Sequence, residues 1–355
     1  MRILPILLLL SSALAVPRFA MMEDVTCSSC HSYQGGGGLR NTYGQDYVQE
    51  SLVVKDIRLP WSLGESESPL YFGADMRYQA ISDDTLRHFP MQFAVYSGAE
   101  FGNVIAQVQV SRILEEFRLS GGVRYDIFPL NSWIFLGKQL PAAGWRLDDH
   151  TSFTRGGNLS YLGLSYEGMP YTPYLEMPLL IEMGYLSPFG MEFSFAGGTP
   201  FIDPTSDSTQ FFGMVKMDHS LYLGSSVARA GTAFLLEGEI RSLTASYGLS
   251  YDRFVYLGEY TEMHNWPETD MISVASLNQF SYRIRRGVDI LLRCEFFDPD
   301  RKFGAGAITR LSGGVEIFPI PGIEIKLSYR EERVELPDQL DRSQGKLLAQ
   351  LHLFL

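Results

Sequence analysis

Cys27-Ser28-Ser29-Cys30-His31 sets two thiols two residues apart with a histidine directly after them. Thiols at that spacing can each add to one vinyl group of a porphyrin. The adjacent imidazole then reaches the iron as an axial ligand. The pattern implies one covalent haem c, with Cys27 and Cys30 as attachment residues and His31 as ligand to the haem iron. A CxxC redox pair, half of a zinc site and a chance match are the other readings of the same residues. Zinc would need a second Cys/His pair at ligand spacing, and the sequence offers none. The chain has 3 cysteines, so Cys294 is left alone and no disulfide framework exists once the haem takes its pair.

Haem attachment of this kind takes place on the periplasmic side, and the N-terminus supplies export. Met1-Arg2 precedes an apolar run from Ile3 to Leu10 and a small-residue site, Ala13-Leu14-Ala15. This has the form of a signal peptide over 1–15, too short for a membrane span, which takes about 20 apolar residues. Residues 16–68 then form a haem-binding segment ahead of everything else. Such a piece buries too little apolar surface to stand alone. It is expected to fold into the lumen of the domain that follows, whose side chains complete the haem pocket. Gly35 to Gly38 permit either a close backbone approach or a flexible link.

Residues 69–355 show period-two alternation broken by turn residues, with 34 Gly, 19 Tyr and 23 Phe in the whole chain. Leu70, Phe72, Ala74, Met76, Tyr78 and Ala80 alternate with Gly73, Asp75, Arg77 and Gln79. Met91, Phe93 and Val95 alternate with Gln92, Ala94 and Tyr96. Val288, Ile290, Leu292, Cys294 and Phe296 alternate with Asp289, Arg293 and Glu295, which points Cys294 at lipid. The pattern fits an all-β chain, a transmembrane antiparallel β-barrel with apolar residues toward lipid and polar ones toward a lumen. A soluble sandwich shares the alternation strand by strand. The export signal, the number of strands and a chain that ends on the alternating Leu347, Ala349, Leu351, Leu353 and Leu355 favour the barrel.

Seventeen candidate segments are present, whereas bacterial single-chain barrels have even strand numbers. The turns at Phe128-Pro129-Leu130-Asn131 and Phe318-Pro319-Ile320-Pro321 are tight and read as periplasmic. Counting outward from both removes 156–168 from the wall and assigns it to one long loop, 140–176. About 16 strands remain, wide enough for an aqueous lumen or a small plug.

The sixth haem ligand is left open among His88, His150, His219, His264, His352, Met21, Met22, Met76, Met91, water and an open site. Asp148-Asp149-His150 could bind Fe(II) or Mn(II). A loop-folding network with Arg146 and Arg155 accounts for it more simply. Residues 258–270 read as an acidic loop holding Glu259, Glu262, His264, Glu268 and Asp270. With a net charge of −12, such loops could concentrate cations or simply be solvated. No catalytic triad, phosphate loop or nucleic-acid patch is present.

Pro17-Arg18-Phe19-Ala20 followed by Cys27-x-x-Cys30-His31 resembles the fused monohaem cytochrome–porins of the bacterial outer membrane, a group that includes outer-membrane iron oxidases. Gly137-Lys138-Gln139-Leu140-Pro141 and Gly144-Trp145 through Arg155 resemble stretches of similar exported porins. The resemblance implies an outer-membrane protein of a Gram-negative-type bacterium. Electrons would pass from an extracellular donor, possibly Fe(II), through one haem c to periplasmic carriers. Cys27, Cys30 and His31 match the family motif one for one. The alternative is a passive porin with a structural or sensory haem, or none, its lumen lined by residues such as Arg118, Arg124, Lys138 and Arg293.

Overall fold

The computed structural model describes residues 17–23, 30–31, 39–55, 57, 69–83, 85–113, 116–145, 151–157, 168–171, 177–202, 210–303, 306–335 and 342–354. The expected signal peptide at 1–15, Cys27, Arg146, Asp148 to His150 and most of 156–168 lie outside them.

Sixteen antiparallel strands form one closed barrel. They are β1 Leu70–Ser82, β2 Leu86–Phe101, β3 Val104–Ile113, β4 Glu116–Ile127, β5 Ser132–Lys138, β6 Leu179–Leu186, β7 Met191–Gly198 and β8 Phe212–Leu223. The second half holds β9 Ser226–Glu237, β10 Ile240–Tyr251, β11 Phe254–His264, β12 Ile272–Arg285, β13 Val288–Asp298, β14 Ile308–Ile317, β15 Ile323–Val334 and β16 Arg342–Phe354. Each strand pairs with its chain neighbours, and β1 closes on β16 with Asp75 opposite Phe354 and Ser82 opposite Leu347. Closure pairs every strand edge, which a bilayer requires because it offers no water to unpaired backbone groups.

Alternation sorts the side chains. On β10, Ser242, Thr244 and Ser246 are buried inside while Leu243, Tyr247 and Leu249 are exposed. Phe72, Val95, Val110, Leu119, Leu136 and Ile181 likewise cover the outside. One rim carries only short connections, such as 102–103, 128–131, 187–190, 224–225, 252–253 and 286–287. The other carries the long ones, including 139–178 and 199–211. Short periplasmic turns and longer extracellular loops are the pattern of outer-membrane barrels. Phe101, Phe128, Phe189, Tyr222 and Tyr251 stand exposed near the short-turn rim, as an aromatic girdle would. The protein is an outer-membrane barrel.

Two details of the sequence reading are corrected. Met91 does not share the outward face of Phe93 and Val95: Pro90 pairs with Tyr78 and Gln92 with Arg77, so Met91 is the extra residue of a bulge and is buried. Residues 258–264 are not loop but the outer part of β11, and Glu259 points into the lumen, fully buried. The connection that follows is 265–271. The expected long loop at 140–176 is the connection 139–178. Cys294 is exposed on the outward parity of β13.

Among the described residues, two short α-helices lie within the barrel and are not part of its wall: α1, Pro17–Glu23, and α2, Thr42–Tyr47, which runs into a π-helical turn at Val48–Leu52. Asn41 caps α2, its side chain accepting from Gly44 N at 3.0 Å. α1 packs against the inward faces of β10 and β11.

Candidate functional site

Cys30 and His31 are held by the stretch that leads into α2. His31 bridges Arg40 as an antiparallel pair, and Asn41 N donates to Cys30 O at 3.0 Å. A Cβ on Gly44 would fall on the Cys30 carbonyl, so α2 lies directly over the turn only because position 44 has none. Leu39 clusters with Ala94 and Tyr96 of β2. Arg40 stacks on Phe354 at 4.4 Å. The turn is thereby pinned to the inner wall formed by β16, β1 and β2.

The rest of the segment is fastened to the periplasmic turns. Val54 N donates to Phe318 O at 2.8 Å and Lys55 N to Pro319 O at 3.1 Å. Arg286 Nε donates to Val53 O at 2.7 Å. Phe19, Tyr47, Leu52, Val53, Phe318 and Phe354 form one buried cluster beneath. Tyr47 donates to Glu23 at 3.1 Å, tying α2 to α1. Burial, and then Glu23, raises the Tyr47 phenol above its usual range. Arg18 is paired with Glu316, with Asp289 at 3.8 Å; burial lowers its pKa while Asp289 opposes the shift.

The loop 139–178 turns inward beside this segment. Arg155 grips both oxygens of Glu259, at 2.7 and 2.9 Å, and donates to Ala143 O at 3.0 Å. The Trp145 indole donates to Gly258 O at 2.9 Å. Phe153 stacks on Phe297 at 5.7 Å and lies under Arg310 at 3.9 Å. Tyr171 donates to Ser242 at 2.7 Å, and burial pushes its phenol up to about 12. Loop and helix meet where Met21 and Trp145 share a cluster with Val255, Leu257 and Leu277. Leu140, Phe153, Met169 and Tyr171 of the loop share a buried cluster with Phe135, Leu180, Met214 and Leu235, so the loop fills the lumen against β5 to β13 while the Cys30–His31 turn of the segment takes the wall of β16, β1 and β2.

Of the sequence-derived site residues, Cys30 is buried, His31 is half-buried beside it, and Cys27 lies outside the described residues. Tyr43 adjoins the turn, its phenol raised by burial and then by the Cys30 sulfur. The two described residues of the motif, Cys30 and His31, are of the types a covalent tetrapyrrole needs. A thiol and an imidazole are adjacent, α2 closes over their backbone, and Leu39, Tyr96 and Phe354 supply the apolar and aromatic surroundings a porphyrin requires.

Most ligand candidates fall away on placement. Met76 faces lipid. His88 is exposed beside Tyr78, and His264 pairs with Glu262 at the outer end of β11. His219 has the outward parity of β8. His352 faces inward, yet its Nδ1 lies 2.7 Å from Glu324 and its Nε2 2.8 Å from Asp75. His150 is outside the described residues. Met21, Met22 and Met91 remain on the inside. Among the described residues no group of His, Cys, Asp and Glu is placed to hold a metal ion. Arg155 holds the loop through Glu259, while the network expected of Asp148-Asp149-His150 with Arg146 lies outside the described residues. In the sequence Glu259 reads as part of an acidic loop and Glu295 only as a polar-face residue, and Arg310 is not singled out; their role in carrying the loop is missed there, since a lumen-facing charge alternates like any solvent-facing one.

No family model matches the chain, and no curated protein does either. Solved structures with the same architecture are outer-membrane porins. The anion-selective porin from Comamonas acidovorans is 11% identical with a TM-score of 0.56, covering 81% of this chain and 100% of its own. OprB of Pseudomonas putida is 9% identical with a TM-score of 0.60, covering 81% and 94%. OmpF of Salmonella typhi is 8% identical with a TM-score of 0.57, covering 81% and 98%. At these identities the likeness is one of fold.

Proposed function

We propose that this barrel is an outer-membrane cytochrome–porin: it holds one haem c on Cys27 and Cys30, with His31 on the iron, and passes electrons between an extracellular donor and periplasmic carriers. The observation that carries the reading is the Cys30–His31 turn, seated on the inner wall of a barrel whose lumen is filled by chain. A lumen so filled suits a fixed redox group better than bulk diffusion of solutes. Haem c, when bound, supplies a one-electron couple whose potential depends on its ligands and burial. The chain's own part is to hold that couple near the periplasmic rim. Gly44 lets α2 close over the turn, Leu39 and Arg40 fix it to the wall, and Val54, Lys55 and Arg286 latch it to the turns. Fe(II) is the first donor to try, on the resemblance of the motif region to iron-oxidising members of that group.

The second reading is a passive porin. The solved structures of this fold favour it, being porins, among them the anion-selective porin from Comamonas acidovorans. Arg124 and Arg293 on the lumen parity are compatible with it.

Stopped-flow reduction of the oxidised protein separates the two. The conduit reading expects Fe(II) or a non-metal reductant to reduce the haem rapidly, and the reduced protein to pass the electron to a periplasmic cytochrome. Reduction by the non-metal donor alone removes iron and keeps the conduit. A haem that neither reduces leaves the porin reading in front.

A further inference from the structure

Most methionines inside the barrel are accounted for by apolar packing. Met169, Met177, Met214 and Met263 belong to the cluster around Phe153. Met21 packs with Trp145, Val255, Leu257 and Leu277, far round the wall from the Cys30–His31 turn. Met22 packs against that cluster and against the one that holds Phe19 and Tyr47. Met91 differs. It is 4% exposed, yet among the described residues it joins no buried apolar cluster. Its sulfur accepts from Gln350 Nε2 at 3.7 Å, and the polar side chains beside it include Gln79 and Ser328.

The backbone is shaped to put it there. Regular alternation from Phe93 and Val95 would aim Met91 at lipid. With Pro90 opposite Tyr78 and Gln92 opposite Arg77, Met91 is the extra residue, and the bulge turns its side chain inward. Pro90 has no N–H to give the ladder, so the sequence itself breaks the pairing at this point. Bulges of this kind re-aim a side chain, often beside a site. The wall that Met91 enters is the one that seats the turn. Leu39 lies against Ala94 and Tyr96 of β2, Arg40 on Phe354, and His31 pairs with Arg40. Phe354 is opposite Asp75, whereas Met91 lies between the partners of Arg77 and Tyr78. Two to three residues of strand therefore separate Met91 from the Arg40 seat, about 7–10 Å toward the outer rim. That interval lets the His31 imidazole and a thioether on three rotatable bonds reach one iron.

We propose that Met91 is the sixth ligand of the haem iron, opposite His31. This rests on the haem reading above and deepens it. Histidine–methionine ligation raises the potential of a haem, which suits a group that takes electrons from a donor outside the cell.

The test is the absorbance of the oxidised full-length protein, produced with a cytochrome maturation system and purified in detergent. A ferric haem with a methionine ligand shows a weak far-red sulfur-to-iron charge-transfer band. The wild type should show it. Met91→Leu, which conserves volume, should lose it. Met21→Leu and Met22→Leu should keep it. Met91→His should lose the band yet keep a low-spin, six-coordinate spectrum, which a merely structural role at position 91 does not predict. The midpoint potential should fall in both Met91 variants. Variants are compared only when their heat-modifiable gel mobility matches that of the wild type. Met91→His is the second variant should Met91→Leu fail to close, and the wild-type spectrum needs no variant. Covalent haem, counted as the pyridine haemochromogen, separates this proposal from the reading it rests on. Haem without the band in the wild type, a band that survives Met91→Leu, or a band lost in Met21→Leu or Met22→Leu would overturn the ligand and leave the haem. A chain without covalent haem would overturn the haem reading and this ligand with it.

Discussion

Glu259 sits in the middle of a membrane strand, fully buried, and holds the Arg155 guanidinium in a two-oxygen grip. Removing one partner of such a pair strands the other charge, at a cost of about 3–5 kcal/mol. Glu259→Ala should therefore free the loop from the wall while the barrel stays closed. Trypsin added to the folded protein in detergent should then cut near Arg155, which the wild type resists; equal resistance would deny the loop this anchor. Gly44 acts in a similar way for the haem turn. A methyl group there meets the Cys30 backbone, so Gly44→Ala should cost about 1–3 kcal/mol at that contact. It should lower haem retention without changing strand content by circular dichroism. At this scale the Cys-x-x-Cys-His spacing is legible in the sequence, and the haem it implies is what the proposal adds. The Glu259–Arg155 grip is not legible there, because 104 residues separate the partners and a lumen-facing carboxylate reads like a solvated one.

The strands are the most legible elements. Leu243, Tyr247 and Leu249 against Ser242, Thr244 and Ser246 show why: lipid and lumen impose opposite polarities on successive residues, and that is visible one strand at a time. Strand number followed from parity and from the tight turns at 128–131 and 318–321. The bulge at Met91 was hidden because one inserted residue reverses the alternation without breaking it. Residues 258–264 were misread because Glu259 and Glu262 look like loop composition when the lumen is not considered. Phe354 was legible as part of the last strand but not as a lumen residue under Arg40, since that contact needs the fold. The latches of Val54, Lys55 and Arg286 make the N-terminal segment a separable element. Deleting 16–60 behind an intact signal should raise single-channel conductance severalfold in planar bilayers, as expected for a wide barrel cleared of chain. Unchanged conductance would mean that this segment does not limit the passage.

Viewed whole, the molecule is a wide barrel with its lumen filled from two directions, by a loop from the outer rim and by the N-terminal segment from the periplasmic one. An open porin of this girth would pass solutes by diffusion; this chain instead spends its interior on ion pairs and packed aromatics. The likeness to porins fixes the architecture and leaves the chemistry to residues that such barrels need not carry. The chemistry we propose rests on a covalent group at Cys27 and Cys30. The most direct measurement is haem staining, after denaturing electrophoresis, of the full-length protein produced with a cytochrome maturation system and extracted from outer membranes, beside Cys27→Ser/Cys30→Ser. The wild type should keep one covalently bound haem per chain and the double variant none, with both folded as barrels by heat-modifiable mobility. A wild-type band without haem, or a double variant that retains it, would contradict the account.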